Sequence, residues 1–135
     1  MTQSAPTDGR DATSLEFTGE RFTPECVREI WYEHWHRYVF ARAFTQGRRV
    51  LDAACGEGYG SALLARFADH VVGVDSDAAS IRHATQRYAR ANLAYVRASV
   101  TDLPLADASV DLVVSFETVE HLEAQAAMLA EFRRV

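Results

Sequence analysis

Short apolar segments alternate with segments of helical pattern along most of the chain, and this alternation limits the fold more than any other feature of the sequence. The predicted strands are residues 49–54, 70–74, 93–97 and 110–116. The predicted helices are residues 60–67, a segment from Ser76 or Asp77 to about 91, and a segment from Glu120 or Leu122 onward, with Met128, Leu129 and Phe132 on one side. Strands this apolar belong to parallel sheets that helices cover on both faces. Because strand–helix–strand crossovers are right-handed, the sequence predicts a doubly wound α/β fold.

The chain before the first predicted strand divides into two parts. Residues 1–16 are polar and offer almost nothing to bury, so we predict a disordered tail. Residues 17–46 are a predicted helical segment. Thr23, followed by a proline, gives a hydroxyl N-cap and a proline at the first helical position, and the helical apolar spacing continues to about Phe44. The main domain is predicted over residues 47–135.

The composition excludes several classes of function. With 135 residues and a net charge of −5, the chain is one domain without the basic surface that duplex nucleic acid requires. All 14 basic residues are arginine, which excludes mechanisms that need a lysine. Cys26 and Cys55 are too far apart for a metal knuckle, and we expect no metal site. No apolar run is long enough to span a membrane, and residues 1–14 lack the apolar core of a secretory signal, so a cytoplasmic location is expected.

The most informative segment is residues 50–61, which read VLDAACGEGYGS. A predicted strand leads into glycines at alternate positions, Gly56, Gly58 and Gly60, and then into a helix. Such glycines allow a tight turn and a close approach of the backbone to a ligand. Ligands of open α/β sheets bind beyond the carboxyl ends of the strands, where this loop lies. Two classes of ligand use such a loop, namely dinucleotides and S-adenosylmethionine.

The charge of Asp52 favours S-adenosylmethionine. A dinucleotide would place its pyrophosphate at the helix N-terminus, close to this carboxylate, and like charges repel each other in a shielded cleft. The sulfonium and ammonium groups of S-adenosylmethionine are cationic and are attracted to an acid. The glycine spacing also departs from the dinucleotide pattern G-x-G-x-x-G. A plain tight turn between a strand and a helix is the alternative interpretation of the loop.

A second acid ends the next predicted strand. Asp75 follows the apolar residues 71–74, and a carboxylate at this place can accept both hydroxyls of a ribose. Asp75 could instead cap the next helix, but Ser76 or Asp77 can do so without it. We therefore predict that Asp75 binds the ribose.

Taken together, these residues resemble a class I S-adenosylmethionine-dependent methyltransferase of the broad small-molecule (type 11) group. The matching segments are VLDAACGEGYG at 50–60, VVGVD at 71–75, SVTDLPLADASVDLVVS at 99–115 and the FETVEH that follows. The resemblance covers roughly residues 48–135. The segments GERFTPE at 19–25 and EHWHRYVFA at 33–41 are similar to one bacterial branch of the family, some of whose members are associated with surface-glycan pathways.

The resemblance implies a Rossmann-like sheet with the strand order 3-2-1-4 and S-adenosyl-L-methionine as the cofactor. Asp52 would contact the amino end of its methionine part, directly or through water, and Asp75 would hold the ribose. Ser99 stands where many members have an aspartate that accepts a hydrogen bond from the adenine amino group. The backbone of Val100 would still contact the adenine ring. The cofactor-binding residues implied in this way are Asp52, Ala54, Gly56, Gly58, Gly60, Asp75, Ser76, Ser99, Val100, Phe116 and Arg37.

Methyl transfer needs little chemistry from the protein, because the sulfonium is already a strong methyl donor and positioning supplies much of the rate. A general base helps if the acceptor is a hydroxyl, and His121, after the fourth strand, is the predicted catalytic base. Its alternative is a packing histidine. His34 and Arg37 could close over the cofactor, with Arg37 meeting its carboxylate, or could lie on a solvated helix face.

The sequence departs from the family after residue 135, where members usually continue with three further strands. The fourth strand would then be an edge strand, and an apolar edge invites pairing with another chain. We therefore expect self-association or a missing C-terminal segment against this strand. The predicted function is methyl transfer to a small-molecule or glycan-precursor acceptor. Two alternatives stay open: a cofactor-binding module without catalysis, and a nicotinamide-dependent oxidoreductase.

Overall fold

The computed structural model describes the backbone of residues 28–135 and the side chains from residue 32 onward. The predicted tail at 1–16 and the predicted helix start at Thr23 lie outside the described residues. Within residues 28–135 the helices are α1 (Arg28–Ala41), α2 (Tyr59–Leu64), α3 (Ala78–Arg87) and α4 (Gln125–Arg134), with 3₁₀ turns at Arg42–Phe44 and Val119–His121. The strands of this described part are β1 (Arg49–Ala53), β2 (His70–Asp75), β3 (Leu93–Arg97) and β4 (Leu112–Val114).

The strands form one parallel sheet in the order β3-β2-β1-β4. The central strand β1 pairs with β2 on one side and β4 on the other, so that Asp52 lies between Gly73 and Val114. This arrangement confirms the predicted Rossmann-like fold and its strand order. The carboxyl ends of all four strands consequently meet at one edge of the sheet.

Helices cover both faces of the sheet, as the apolar strands predicted. On one face, Val50 and Val71 pack in a cluster with Leu64 of α2 and Tyr38 of α1. On the other face, Leu51 packs in a second cluster to which α4 contributes side chains. Burying a Val or Leu side chain contributes roughly 1.5–3 kcal/mol, so these two clusters stabilise the sheet that carries the site. Within the described residues, no helix has the length and apolarity to cross a bilayer.

Element ends differ from the prediction where the backbone leaves the regular pattern. β4 has three residues rather than the predicted seven, because Val110 donates its N–H to the carbonyl of Val135 and the chain turns at Glu117, whose φ is +52°. α3 ends at Arg87 rather than near 91, since Tyr88 leaves the helical conformation. On α4, Met128 is buried as predicted, whereas Leu129 is 58% exposed and faces away from the core.

Candidate active site

A cavity of about 520 Å³ opens at the carboxyl ends of the strands. Its walls are the segments that follow each strand. They include Ala54, Gly56 and Glu57 after β1, Asp75 at the end of β2 with Ser76 after it, Ser99 and Val100 after β3, and Phe116, Glu117 and His121 after β4, and α1 adds His34 and Tyr38. The topology therefore brings residues that are up to 88 positions apart in sequence, His34 and Leu122, to one site.

The glycine loop after β1 is strained and tightly held. Ala54, Gly56 and Gly58 have φ values of +61°, +57° and +92°. A side chain on Gly56 would meet no atom within 4 Å, so this glycine borders open space beside the cavity. A Cβ on Gly58 would instead lie 2.6–2.7 Å from Ala84 and Tyr95. Gly56 therefore allows a ligand to approach, whereas Gly58 allows the loop to pack against α3 and β3.

Gly60, in the first turn of α2, makes room for a side chain of another helix. A Cβ at this position would overlap the ring of Tyr38. The described backbone at Gly60 has no positive φ, so the conformation does not demand glycine. The missing side chain makes room for Tyr38, which reaches across from α1.

Asp75 lies at the end of β2, half-buried on the cavity wall. Its Oδ2 accepts the N–H of Gly56 at 2.9 Å, and its Oδ1 accepts the N–H of Asp77 at 2.9 Å. Asp77 itself caps α3, where its Oδ2 accepts the N–H of Ser80 at 2.7 Å. The capping task thus belongs to Asp77. A carboxylate has about four lone-pair sites, so Asp75 keeps one acceptor on each oxygen for a ligand.

Asp52 is fully buried and is not among the residues that line the cavity. Its Oδ1 accepts the hydroxyl of Tyr38 at 3.1 Å, and its Oδ2 accepts that of Ser61 at 2.6 Å. Burial raises the pKa of Asp52 to about 6, although these two hydrogen bonds oppose the shift. The side chain of Tyr38, which lines the cavity, therefore separates the carboxylate of Asp52 from the cavity.

An acid that the sequence analysis did not identify stands at the cavity rim. Glu117 pairs with Arg37 and lies 3.2 Å from Nε2 of His34, so two side chains of α1 converge on the segment after β4. Burial lowers the pKa of His34. Arg37 is not in the cavity lining, and it reaches the site through this ion pair. The signal that could have found Glu117 is the one that found Asp75, namely an acid soon after a strand.

A second acid that the sequence analysis did not identify, Glu57, lies within the glycine loop. Its side chain is 2% exposed, and its Oε2 is 3.7 Å from Nε2 of His83 on α3. This contact joins the loop to the same helix against which Gly58 packs. No pattern in the loop distinguished Glu57 from a solvated residue.

The remaining predicted residues lie around the cavity. The hydroxyl of Ser99 is exposed and 2.7 Å from that of Thr101, and Val100 beside it is buried. Phe116 lines the wall and packs edge-on against Tyr38. His121 is exposed in the 3₁₀ turn after β4.

Eight of the predicted site residues line the cavity, namely Ala54, Gly56, Asp75, Ser76, Ser99, Val100, Phe116 and His121. Four do not, namely Asp52, Gly58, Gly60 and Arg37, and each of these packs against or pairs with a residue of the site or its loop. Cys55 also lines the cavity, and burial holds the pKa of its thiol well above the usual range. In the part of the chain that the structure describes, no three acid, histidine or cysteine side chains are grouped to hold a metal ion.

The fold and the cavity define a Rossmann-like domain with an open cavity at the carboxyl ends of its parallel strands, where ligands of open α/β sheets bind. A family model described as "Methyltransferase domain" matches residues 51–135, so the chain belongs to that family, and the resemblance found in the sequence is confirmed. The cofactor of this family is S-adenosylmethionine.

Individual relatives agree with this membership. A probable S-adenosylmethionine-dependent methyltransferase of Mycolicibacterium smegmatis is 42% identical over 125 residues, which are 91% of this chain and 48% of the relative. A ubiquinone biosynthesis O-methyltransferase of Hahella chejuensis is 35% identical over 101 residues, which are 73% of this chain and 42% of the relative. The chain thus spans about half the length of the curated relatives it matches.

A solved structure supports the fold. Protein YcgJ of Bacillus subtilis superimposes with a TM-score of 0.69 at 21% identity, over 76% of this chain and 46% of that protein. At this identity the likeness concerns the fold alone, and it agrees with the parallel sheet described above.

Proposed function

We propose that the cavity binds S-adenosylmethionine and that the chain takes part in methyl transfer to a small-molecule or glycan-precursor acceptor. The observation that carries this proposal is the carboxylate of Asp75. It lies on the cavity wall, two backbone N–H groups fix its orientation, and one acceptor site remains on each oxygen. A ribose presents two adjacent hydroxyls to such a carboxylate.

With the ribose at Asp75, each remaining part of the cofactor would lie beside a different segment of the cavity wall. The backbone at Ala54 and Gly56 lies along the methionine part, and Ser76 borders the ribose. Ser99 and Val100, after β3, receive the adenine, with a neutral hydroxyl as the polar contact. Phe116 packs beside the methionine part from the strand on the other side of β1. Each of these residues lines the same cavity.

The amino-acid end of the cofactor is a zwitterion, and the residues near α1 suit both of its charges. Arg37 would pair with the carboxylate, which requires it to exchange its present partner Glu117. Asp52 would attract the ammonium through the cavity wall, and the carboxylate of Glu117, once released, is available to the same cation. The negative charges therefore surround the cationic end of the ligand.

His121 is the proposed general base for a hydroxyl acceptor. It lines the cavity, is exposed, and carries an imidazole, the side chain that most often acts as a general base. The name of the Hahella chejuensis relative states oxygen methylation for that protein, which supports a hydroxyl acceptor here. The acceptor class, the domain division at residue 47 and a cytoplasmic location remain predictions.

Calorimetric titration of the 135-residue chain tests cofactor binding. S-adenosylmethionine and S-adenosylhomocysteine should bind, and NAD should not. Asp75→Asn should weaken binding of S-adenosylhomocysteine by about tenfold to a hundredfold, because it removes hydrogen bonds to a charged acceptor. Asp69→Asn is the matched control, since Asp69 is exposed at the other end of β2 and should bind as the unsubstituted chain does. Binding of NAD alone would overturn the proposal in favour of an oxidoreductase.

A second experiment separates an enzyme from a binding module. The chain is incubated with S-adenosylmethionine and a panel of phenolic and sugar hydroxyl compounds, and release of S-adenosylhomocysteine is measured. Turnover that His121→Ala lowers by about 10²-fold or more supports methyl transfer with His121 as the base. Binding of the cofactor without turnover on any compound would favour the module that only binds it.

A further inference from the structure

Tyr38 has contacts that a tyrosine used only for core packing does not need. It is 6% exposed, and its hydroxyl donates to Oδ1 of Asp52 at 3.1 Å. Its ring packs edge-on against Tyr59 and Phe116, with centroids 5.6 Å and 5.2 Å away, and both of these residues line the cavity. Tyr38 thus connects α1 with β1, with the start of α2 and with the segment after β4.

The contact between Tyr38 and Gly60 is complementary in shape. The ring occupies the space that any side chain at position 60 would need, and the backbone of Gly60 has no other feature that requires glycine. α1 therefore docks at one fixed place on the first turn of α2. A tyrosine held this firmly can hold its hydroxyl in one position relative to Asp52.

The ionisation of Asp52 depends on few groups. Within the described residues, no cation pairs with it, and its two hydrogen-bond donors are the hydroxyls of Tyr38 and Ser61. The titratable groups that face it raise its proton affinity or are neutral near pH 7, namely Asp75 of β2, Tyr95 of β3, Tyr59 of α2, Tyr38 of α1 and Cys55. Removing one hydroxyl donor should therefore change its titration measurably.

We propose that Tyr38 is a positioning residue that keeps Asp52 ionised at neutral pH, so that helix α1 controls how strongly the site attracts the cationic end of the cofactor. This inference rests on the proposed function, because it assumes that the cavity binds S-adenosylmethionine. The Tyr38 hydroxyl stabilises the carboxylate form of Asp52, and the carboxylate form attracts an ammonium group. The affinity for the cofactor should fall as the pH is lowered and Asp52 is protonated. Without the Tyr38 hydroxyl, this fall should begin at a higher pH.

The first measurement follows Asp52 itself, without any cofactor. The aspartate carboxyl carbons are labelled with ¹³C, and the resonance of Asp52 is followed against pH by NMR. Tyr38→Phe keeps the ring and removes the hydroxyl, and it should raise the titration midpoint by about one pH unit, the effect of one hydrogen bond to a charged group. Tyr32→Phe is the matched control on the same helix, because Tyr32 is 59% exposed. It should leave the midpoint unchanged.

The second measurement is the affinity for S-adenosylhomocysteine between pH 5 and pH 8. In the unsubstituted chain the affinity should fall below about pH 6, where Asp52 is protonated. In Tyr38→Phe the fall should begin about one pH unit higher, with equal affinity for the two chains at pH 8. A purely structural role for Tyr38 would lower the affinity equally at every pH.

A size exchange tests the contact with Gly60. In the unsubstituted chain, Gly60→Ala should lower the melting temperature by roughly 5 °C or more, since the new methyl group overlaps the ring. In the Tyr38→Ala background the same substitution should change it little. Equal losses in both backgrounds would show that the ring does not set the requirement for glycine.

The two pH measurements have distinct outcomes. Midpoints of Asp52 titration and of affinity that rise together in Tyr38→Phe support the proposal. An unmoved Asp52 midpoint, or a moved midpoint with an unchanged affinity profile, overturns it. If the unsubstituted chain binds no S-adenosylhomocysteine at any pH, the proposed function fails, and the NMR titration shows separately whether Tyr38 controls Asp52.

Discussion

Oδ2 of Asp75 accepts the backbone N–H of Gly56 at 2.9 Å, so the acid at the end of β2 and the glycine loop after β1 hold each other in place. The same carboxylate accepts the N–H of Asp77 at the start of α3. A group that orients a ligand benefits from such fixation, because its geometry is set before the ligand arrives. The site is therefore built across two neighbouring strands rather than from the loop alone.

Asp75→Ala should consequently cost stability as well as affinity. It leaves two backbone N–H groups without their acceptor, which should lower the free energy of unfolding by about 1–3 kcal/mol. Asp77→Ala removes the cap of α3 and should cost about 1 kcal/mol while preserving affinity for S-adenosylhomocysteine. Urea unfolding and calorimetry on both variants check this. Equal affinities for the two variants would contradict a ligand role for Asp75.

Asp52→Asn should stabilise the fold and weaken the site. The pKa of Asp52 rises from near 4 to about 6 on folding, so its charge destabilises the folded chain above pH 6, and this penalty disappears as the pH falls below about 4. A shift of about two units corresponds to roughly 3 kcal/mol. Unfolding at pH 8 should therefore require about 1–3 kcal/mol more in Asp52→Asn, and the difference should shrink toward pH 4. A less stable variant at pH 8 would refute this.

Substitutions at the two glycines of the loop should have different effects, one mainly on stability and the other mainly on cofactor affinity. Gly58→Ala forces a Cβ to 2.6–2.7 Å from Ala84 and Tyr95 at a φ of +92°, and it should cost roughly 2–5 kcal/mol of stability. Gly56→Ala meets open space at a φ of +57° and should cost only about 1–2 kcal/mol. Among chains that still fold, Gly56→Ala should lose more affinity for S-adenosylhomocysteine. The reverse order would mean that Gly58 borders the ligand.

Self-association through β4 stays a prediction. Both faces of this strand are covered, since Leu112 and Val114 pack with one core cluster and Val113 with the other. The remaining reason for association is its outer edge, which pairs with no strand among the described residues. Light scattering over a dilution series should show a mass above the 15.0 kDa of one chain that falls on dilution. A constant monomer mass at all concentrations would refute the prediction.

The fold could be predicted from the sequence because its strands are short, apolar and separated by clear helical segments. β3 has the predicted bounds of 93–97, and β1 and β2 differ from the prediction by one residue each. The prediction was wrong where tertiary hydrogen bonds decide the ends. β4 is shorter because Val110 bonds to Val135, a contact that no local pattern reveals. Likewise, Leu129 has the spacing of a core residue but is exposed on α4.

The site was predictable where a residue follows a strand, because the topology brings those positions together. Asp75 ends β2, whereas Ser99, Phe116 and His121 follow strands, and all four line the cavity. The purposes of Gly58 and Gly60 were not predictable, because the side chains that need their space, Tyr95 and Tyr38, come from distant elements. The arginine and histidine of α1 were candidates from the sequence, but their common partner Glu117 required the structure.

The most direct test of the account is an amide NMR titration of the 135-residue chain with S-adenosylhomocysteine. The account predicts large shifts at the amide of Gly56, which bonds to Asp75, together with shifts at Asp77, Val100 and Glu117. The amides of Arg48 and Asp69, at the opposite end of the sheet, should not move. Saturable shifts confined to the amino ends of the strands, or no shifts at millimolar ligand, would contradict the proposal that this cavity holds the cofactor.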